Sequence, residues 1–195
     1  MNFGEPFGGL MPGARGAALA VMLRTGAPLT GRRVHALVAD RHSLGAVQQA
    51  LRDLDRLGLI TTETIGRAGV HRINESHAAI APLRSLANPI EMLTSVVLEA
   101  AREVEAVFVF GSVARGDAHA DSDIDLVVIA PATWDGRADL QQQVQERLGN
   151  DCDVLHLTRE HFELAPEDRE PVVAEVLRDG VALVGGVPRR SRAAS

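Results

Sequence analysis

Residues 107–129 read VFVFGSVARGDAHADSDIDLVVI. Val107-Phe-Val-Phe110 is a short apolar run of the buried-strand kind, and it leads straight into Gly111-Ser112. Ten residues after Ser112 come Asp123-Ile124-Asp125 and then Leu126-Val-Val-Ile129. In a strand, residues i and i+2 share a face, so Asp123 and Asp125 are expected to point one way while Ile124 and Leu126 point into a core. Two neighbouring carboxylates repel, which costs stability unless a cation lies between them. Oxygen ligands of this kind suit Mg²⁺, which keeps several waters and takes one or two carboxylates plus phosphate oxygens. Gly111 has no side chain to keep a phosphate from the backbone. Ser112 offers a hydroxyl and an N–H at the start of the next helix, where the dipole favours an anion. A strand ending in Gly-Ser beside a paired-Asp strand therefore reads as a metal–triphosphate site.

With Ala114-Arg115-Gly116 between the two halves, GSVARG followed by SDIDLVV resembles the nucleotidyltransferase domain of the polymerase beta superfamily, in particular its small minimal nucleotidyltransferase branch. The resemblance covers roughly residues 88–185. It implies a third carboxylate on a neighbouring strand. The candidate is Asp153 in Cys152-Asp-Val-Leu-His-Leu157, with Asp151, two residues earlier on the same face, as its rival. It further implies two Mg²⁺ ions held by Asp123, Asp125 and Asp153, about 4 Å apart, clamping the attacking and leaving oxygens of an in-line displacement. Gly111 and Ser112 would hold the triphosphate of an NTP, ATP being the expected one, and Arg115 would stabilise developing charge. Pyrophosphate leaves, and NMP passes to a hydroxyl of RNA or of a partner protein, as in toxin–antitoxin relatives of this branch. The β-α-β plan is expected to carry its helices on one side of a small mixed sheet.

Upstream lies a different pattern. Three short helical segments are expected, at Ala14–Arg24, after Thr30, and after Ser43. In the third, Val47, Leu51, Leu54 and Leu57 fall on one face. Two β-favouring runs, Leu59–Ile65 and Val70–Asn74, flank Gly66-Arg67-Ala68-Gly69 and read as a hairpin with an arginine at its tip. Residues 14–76 thus resemble a winged helix-turn-helix, which implies a third helix in the DNA major groove and a wing on the backbone. Gln48, Gln49 and Arg52 suit base edges, and Arg56, Arg67 and Arg72 suit phosphate. Asp53 and Asp55, on or beside the reading helix, count against DNA. A homodimer is the usual DNA-binding form of such domains.

The expected fold class is α+β: a winged helix-turn-helix at 14–78, then a connector helix and a nucleotidyltransferase domain at 79–187. Residues 1–13 and 188–195 are expected to be flexible, the latter basic. Charge follows the same division: residues 1–88 carry a net +4 and residues 89–195 a net −10. All 20 basic residues are Arg, read as a coding bias of the source. The single cysteine, Cys152, excludes an internal disulfide and a multi-cysteine zinc site, and is expected to be a buried small residue. His156 and His161 have no metal-ligand spacing with it, and His119, in the loop before Asp121 and within reach of the site, is expected to be a solvated loop residue. The acidic run Glu163–Glu170 reads as a solvated helix start. No apolar run nears the roughly 20 residues that span a bilayer, and residues 1–13 lack signal-peptide features. A soluble cytoplasmic protein is expected. Besides the DNA-binding transferase, two readings stand: a winged-helix regulator whose second domain senses a nucleotide without turnover, and a module that only holds a protein partner.

Overall fold

The structure, a computed structural model, describes residues 1–164 and 171–186. The tail at 188–195 and most of the acidic run lie outside the described residues. Contacts divide the chain into two units, Glu5–Pro89 and Met1–Gly4 with Ile90–Ser195.

The first unit begins with a 3-10 turn at Pro6–Gly9 and α1 (Gly13–Thr25), which is buried without a break from Gly16 to Leu23. A helix apolar on all sides must run through a core. β1 (Leu29–Thr30) leads into α2 (Gly31–Ala36), capped by the Thr30 hydroxyl, which accepts from the Arg33 N–H. Ser43 caps α3 (Leu44–Arg56) in the same way, accepting from Ala46 N–H. Val47, Ala50, Leu51 and Leu54 form its one buried face. β2 (Ile60–Ile65) and β3 (Ala68–Ile73) join through Gly66 and Arg67. Gly66 takes φ 63°, the left-handed conformation that a two-residue hairpin turn requires. The three strands pair antiparallel in the order β1-β3-β2.

Two expectations differ from what is found here. Residues 1–13 are packed rather than loose: Phe7 is buried in the first core and Phe3 in the second. Burying two aromatic rings outweighs the freedom of the glycines around them. The helix expected to connect the domains, α4 (Ile80–Leu86), instead lays Ile80, Leu83 and Leu86 on the first core. The division between units falls after Pro89.

The second unit runs α5 (Pro89–Ala100), β4 (Ala106–Phe110), α6 (Gly111–Arg115), β5 (Ile124–Ile129), α7 (Arg137–Leu148), β6 (Cys152–Leu157), α8 (Arg159–Phe162), α9 (Pro171–Asp179) and β7 (Val181–Val184). The mixed sheet has the order β6-β5-β4-β7; β4 is antiparallel to β5 and β7, and β5 and β6 run parallel through the α7 crossover. Helices cover both faces, not one. Val107, Val109, Ile124 and Leu126 pack with α5 and α7, while Phe108, Val127 and Ile129 pack with Phe162, Val173 and Val176 of α8 and α9. β4 and β5 are apolar on both sides, so each side needs a cover. No helix among the described residues is long and apolar enough to cross a membrane.

Candidate active site

The register of the sheet assembles the carboxylates. Asp125 is paired with Asp153 across the parallel strands β5 and β6, and with Phe110 across β4. Ile124 and Leu126 are fully buried on one face, so Asp125 falls on the other, beside Asp153. Asp123 lies one residue before β5 rather than within it, because strand pairing begins at Ile124 and Cys152. Its charge still reaches Asp125. The half-buried Asp125 carboxyl is held above its usual range, first by burial, then by the charges of Asp153, Asp123 and Glu175; Arg115 opposes them.

Asp151 stands differently from Asp153. Its Oδ1 accepts from Gln145 Nε2 at 2.8 Å, tying it to α7. Its backbone oxygen accepts from Ile124 N–H at 2.9 Å. The register partner of Asp125 is Asp153.

Gly111 closes the site from the β4 side. It has φ 66°, and a Cβ there would strike Asp125 Oδ2. Only glycine meets both demands. The partly buried Ser112 follows, and its carbonyl accepts from Asp117 N–H at 3.1 Å, which holds the loop beyond α6. Arg115 does not stand free over this turn. Its Nη1 donates to Glu175 Oε1 at 3.0 Å and its Nε to Asp117 Oδ2 at 3.4 Å. The Asp117 hydrogen bond and then Glu175 raise the guanidinium further above its ordinary value.

Two residues near the site carried no motif. Glu175 lies on α9, sixty positions from the arginine it binds. Asn150 is buried at 3% exposure; its Nδ2 donates to Ser122 O at 3.1 Å and to Met1 O at 3.0 Å, fixing the loop just ahead of Asp123. Only the helical pattern around α9 hinted at the first, and nothing local marked the second. Cys152 faces the opposite core. Burial, then Asp153 and Asp125, push its thiol up to about 12, so it is no nucleophile at neutral pH. Among the described residues, no group of three His, Cys, Asp or Glu side chains is arranged to hold a metal ion.

Of the arginines and glutamines singled out in the first unit, some gather around Asp53, some line a cleft, and Arg52 does both. Gln49 Nε2 donates to Asp53 Oδ1 at 2.9 Å, and Arg52 donates to Gln49 Oε1 at 2.6 Å. Arg56 and Arg15 pair with the same Asp53 at 3.4 and 3.2 Å. Burial raises the Asp53 carboxyl, but Gln49, Arg15 and Arg56 more than offset this and leave it lowered. Gln48, Arg52 and Arg67 line a cleft together with Arg32 and His71. Arg56 and Arg72 are exposed and do not line it.

Residues 94–182 match the family Polymerase beta, Nucleotidyltransferase. That span holds the Gly-Ser turn, Asp123, Asp125, Asp153 and Glu175. The match lies wholly within the second unit. Among solved structures, the chain is similar to a toxin–antitoxin complex with AMP-PNP at 25% identity, with a TM-score of 0.39 over 50% of this chain and 74% of that chain. It is also similar to a Shewanella oneidensis complex of a tri-AMPylated HEPN toxin with an MNT antitoxin, at 22% identity and a TM-score of 0.34, over 50% of this chain and 70% of that chain. The chain has no match among curated proteins.

Proposed function

We propose that this chain is a Mg²⁺-dependent nucleotidyltransferase that moves NMP from an NTP, ATP first among them, to a hydroxyl of RNA or of a partner protein. The observation that carries this reading is the crowding of Asp125. A half-buried carboxylate raised by burial and by three other acids is a standing cost to the fold. Such costs cluster at functional sites.

The donor set fits the metal. It is made of carboxylate oxygens only, and Mg²⁺ needs one or two of them, with water and phosphate oxygens supplying the rest. A closed cage of three protein ligands is not required. Asp123 and Asp125 would hold two ions, with Asp153 completing one site. When bound, Mg²⁺ supplies charge neutralisation for the triphosphate and polarisation of its α-phosphate. Gly111 lets the phosphates approach the backbone, and the Ser112 hydroxyl donates to them. Asp153 takes the proton of the attacking hydroxyl. The new bond joins that oxygen to the α-phosphorus; the bond from the α-phosphorus to the bridging oxygen breaks, and pyrophosphate leaves. Arg115, held by Glu175 and Asp117, keeps the Gly-Ser turn in place rather than meeting the transition state.

For the first unit, three helices and a three-stranded antiparallel sheet ending in a hairpin support a winged helix-turn-helix that binds DNA. The net +4 of residues 1–88 agrees with a polyanionic partner. Regulation of its own operon, as in a toxin–antitoxin pair, would follow. A second reading is a regulator that senses a nucleotide without turnover. It is favoured by the placement of Arg115, whose guanidinium is engaged by Glu175 and Asp117 rather than left for the charge that develops in a transfer.

The test is incubation with Mg²⁺ and each α-labelled NTP in a lysate holding RNA and protein, beside the Asp123→Ala/Asp125→Ala variant. Label with the wild type only supports the transferase and reveals the acceptor. Nucleotide binding without label favours the sensing regulator.

A further inference from the structure

The first unit holds a cleft of about 780 Å³, within the size range of small-ligand sites. Arg32 reaches it from the first turn of α2, Arg52 from α3, and Arg67 from the hairpin tip. No acidic side chain lines it. Among the described residues, neither Arg32 nor Arg67 is paired with a carboxylate. Arginines from three elements line a concave surface with the buried Leu51, and the Arg52 guanidinium also donates to Gln49 Oε1 at 2.6 Å.

His71, also in the lining, is oriented by a relay. The Asp55 carboxylate only accepts, so the Thr62 hydroxyl gives it its one proton, at 3.0 Å. Thr62 Oγ1 must then accept from His71 Nδ1–H, also at 3.0 Å. On the neutral ring, Nε2 is left as an acceptor. It lies 3.7 Å from where a Cβ would stand at Gly31 and at Gly69, two residues of the lining that have none. Burial, opposed by the charge of Asp55, holds the imidazole below its ordinary value and keeps it neutral.

We propose that this cleft binds a free nucleotide, with its phosphates among Arg32, Arg52 and Arg67 and a hydroxyl or amino group donating to His71 Nε2. The cationic wall selects phosphate. His71 Nε2, with the amide of Gln48 also in the lining, favours a ligand that carries a donor as well as phosphate. This site is separate from the carboxylate centre and does not rest on the transferase reading.

The full chain is titrated against fluorescently tagged ATP in EDTA at neutral pH. Without divalent cations the acidic centre repels the triphosphate, so saturable binding reports the cleft. Arg32→Gln and Arg67→Gln, both at exposed positions, are each expected to weaken binding by at least about tenfold. Asp123→Ala/Asp125→Ala is expected to leave it unchanged. His71→Phe is expected to weaken ATP binding by at least about tenfold without altering the circular dichroism spectrum. Three results would overturn the proposal: no saturable binding of ATP, binding indifferent to Arg32 and Arg67, or binding of a short DNA duplex alone. Each leaves the transferase reading untouched, because EDTA silences that site.

Discussion

Replacing Asp125 with Asn is expected to stabilise the second unit while abolishing its turnover. Asp125 faces Asp153 in register, on strands about 4.8 Å apart. Two unit charges at that spacing repel by about 0.9 kcal/mol in bulk water and about 3.5 kcal/mol at an effective dielectric of about 20. Asp153 is exposed and Asp125 half-buried, so the solvent-screened limit is the better guide. With smaller shares from Asp123 and Glu175, the gain is about 1 kcal/mol, or roughly 3–6 °C in Tm for a domain of this size. The sign follows from linkage. The folded Asp125 carboxyl is raised, so its ionisation penalises the fold. The penalty is absent below the unfolded value and grows as pH rises through the folded one. Trp134 is the single tryptophan and belongs to the second unit, so its fluorescence follows the relevant transition. At neutral pH in EDTA the Asn variant should melt higher. Acid should erase the difference, and Mg²⁺ should stabilise the wild type more than the variant. An Asn variant that melts lower in EDTA, or keeps its advantage in acid, would refute the electrostatic reasoning.

Gly111→Ala meets both a φ of 66° and Asp125 Oδ2; a loss of at least about 1–2 kcal/mol in the Trp134 melt is expected, with no turnover. Glu175→Gln keeps its size but loses the charge that holds Arg115 at 3.0 Å. It should lower kcat/KM by up to about tenfold, and adding it to Arg115→Ala should cost little more, as a double-mutant cycle would measure. The Cys152 thiol, buried and raised to about 12, should react with a disulfide reagent at least about 100-fold more slowly than a free thiol until the protein unfolds.

The parts of the fold legible from sequence were those with local causes. The apolar runs of β4 and β5, the Ser43 and Thr30 caps, and the 66–67 turn follow from a few adjacent residues. The two-sided cover of the sheet was also written in Phe108, Val127 and Ile129, which alternate with the residues of the other core. What stayed hidden depends on distant partners. Glu175 reaches Arg115 only because α9 packs over β4 and α6. Asn150 reaches Ser122 only because α7 returns the chain to the sheet edge. The knot of Arg15, Gln49, Arg52 and Arg56 around Asp53 likewise joins α1 to α3. The carboxylate that argued against DNA thus also holds several of the side chains expected to read it.

Which phosphorus is transferred tests the central claim most directly. Purified chain, Mg²⁺ and lysate are incubated in parallel with ATP labelled at the α or at the γ position, with Asp123→Ala/Asp125→Ala as control. Transfer of the α label alone, absent from the control, is the expected result. Transfer of the γ label, or no transfer from any NTP where binding is measurable, would contradict nucleotidyl transfer at the Asp123–Asp125–Asp153 centre.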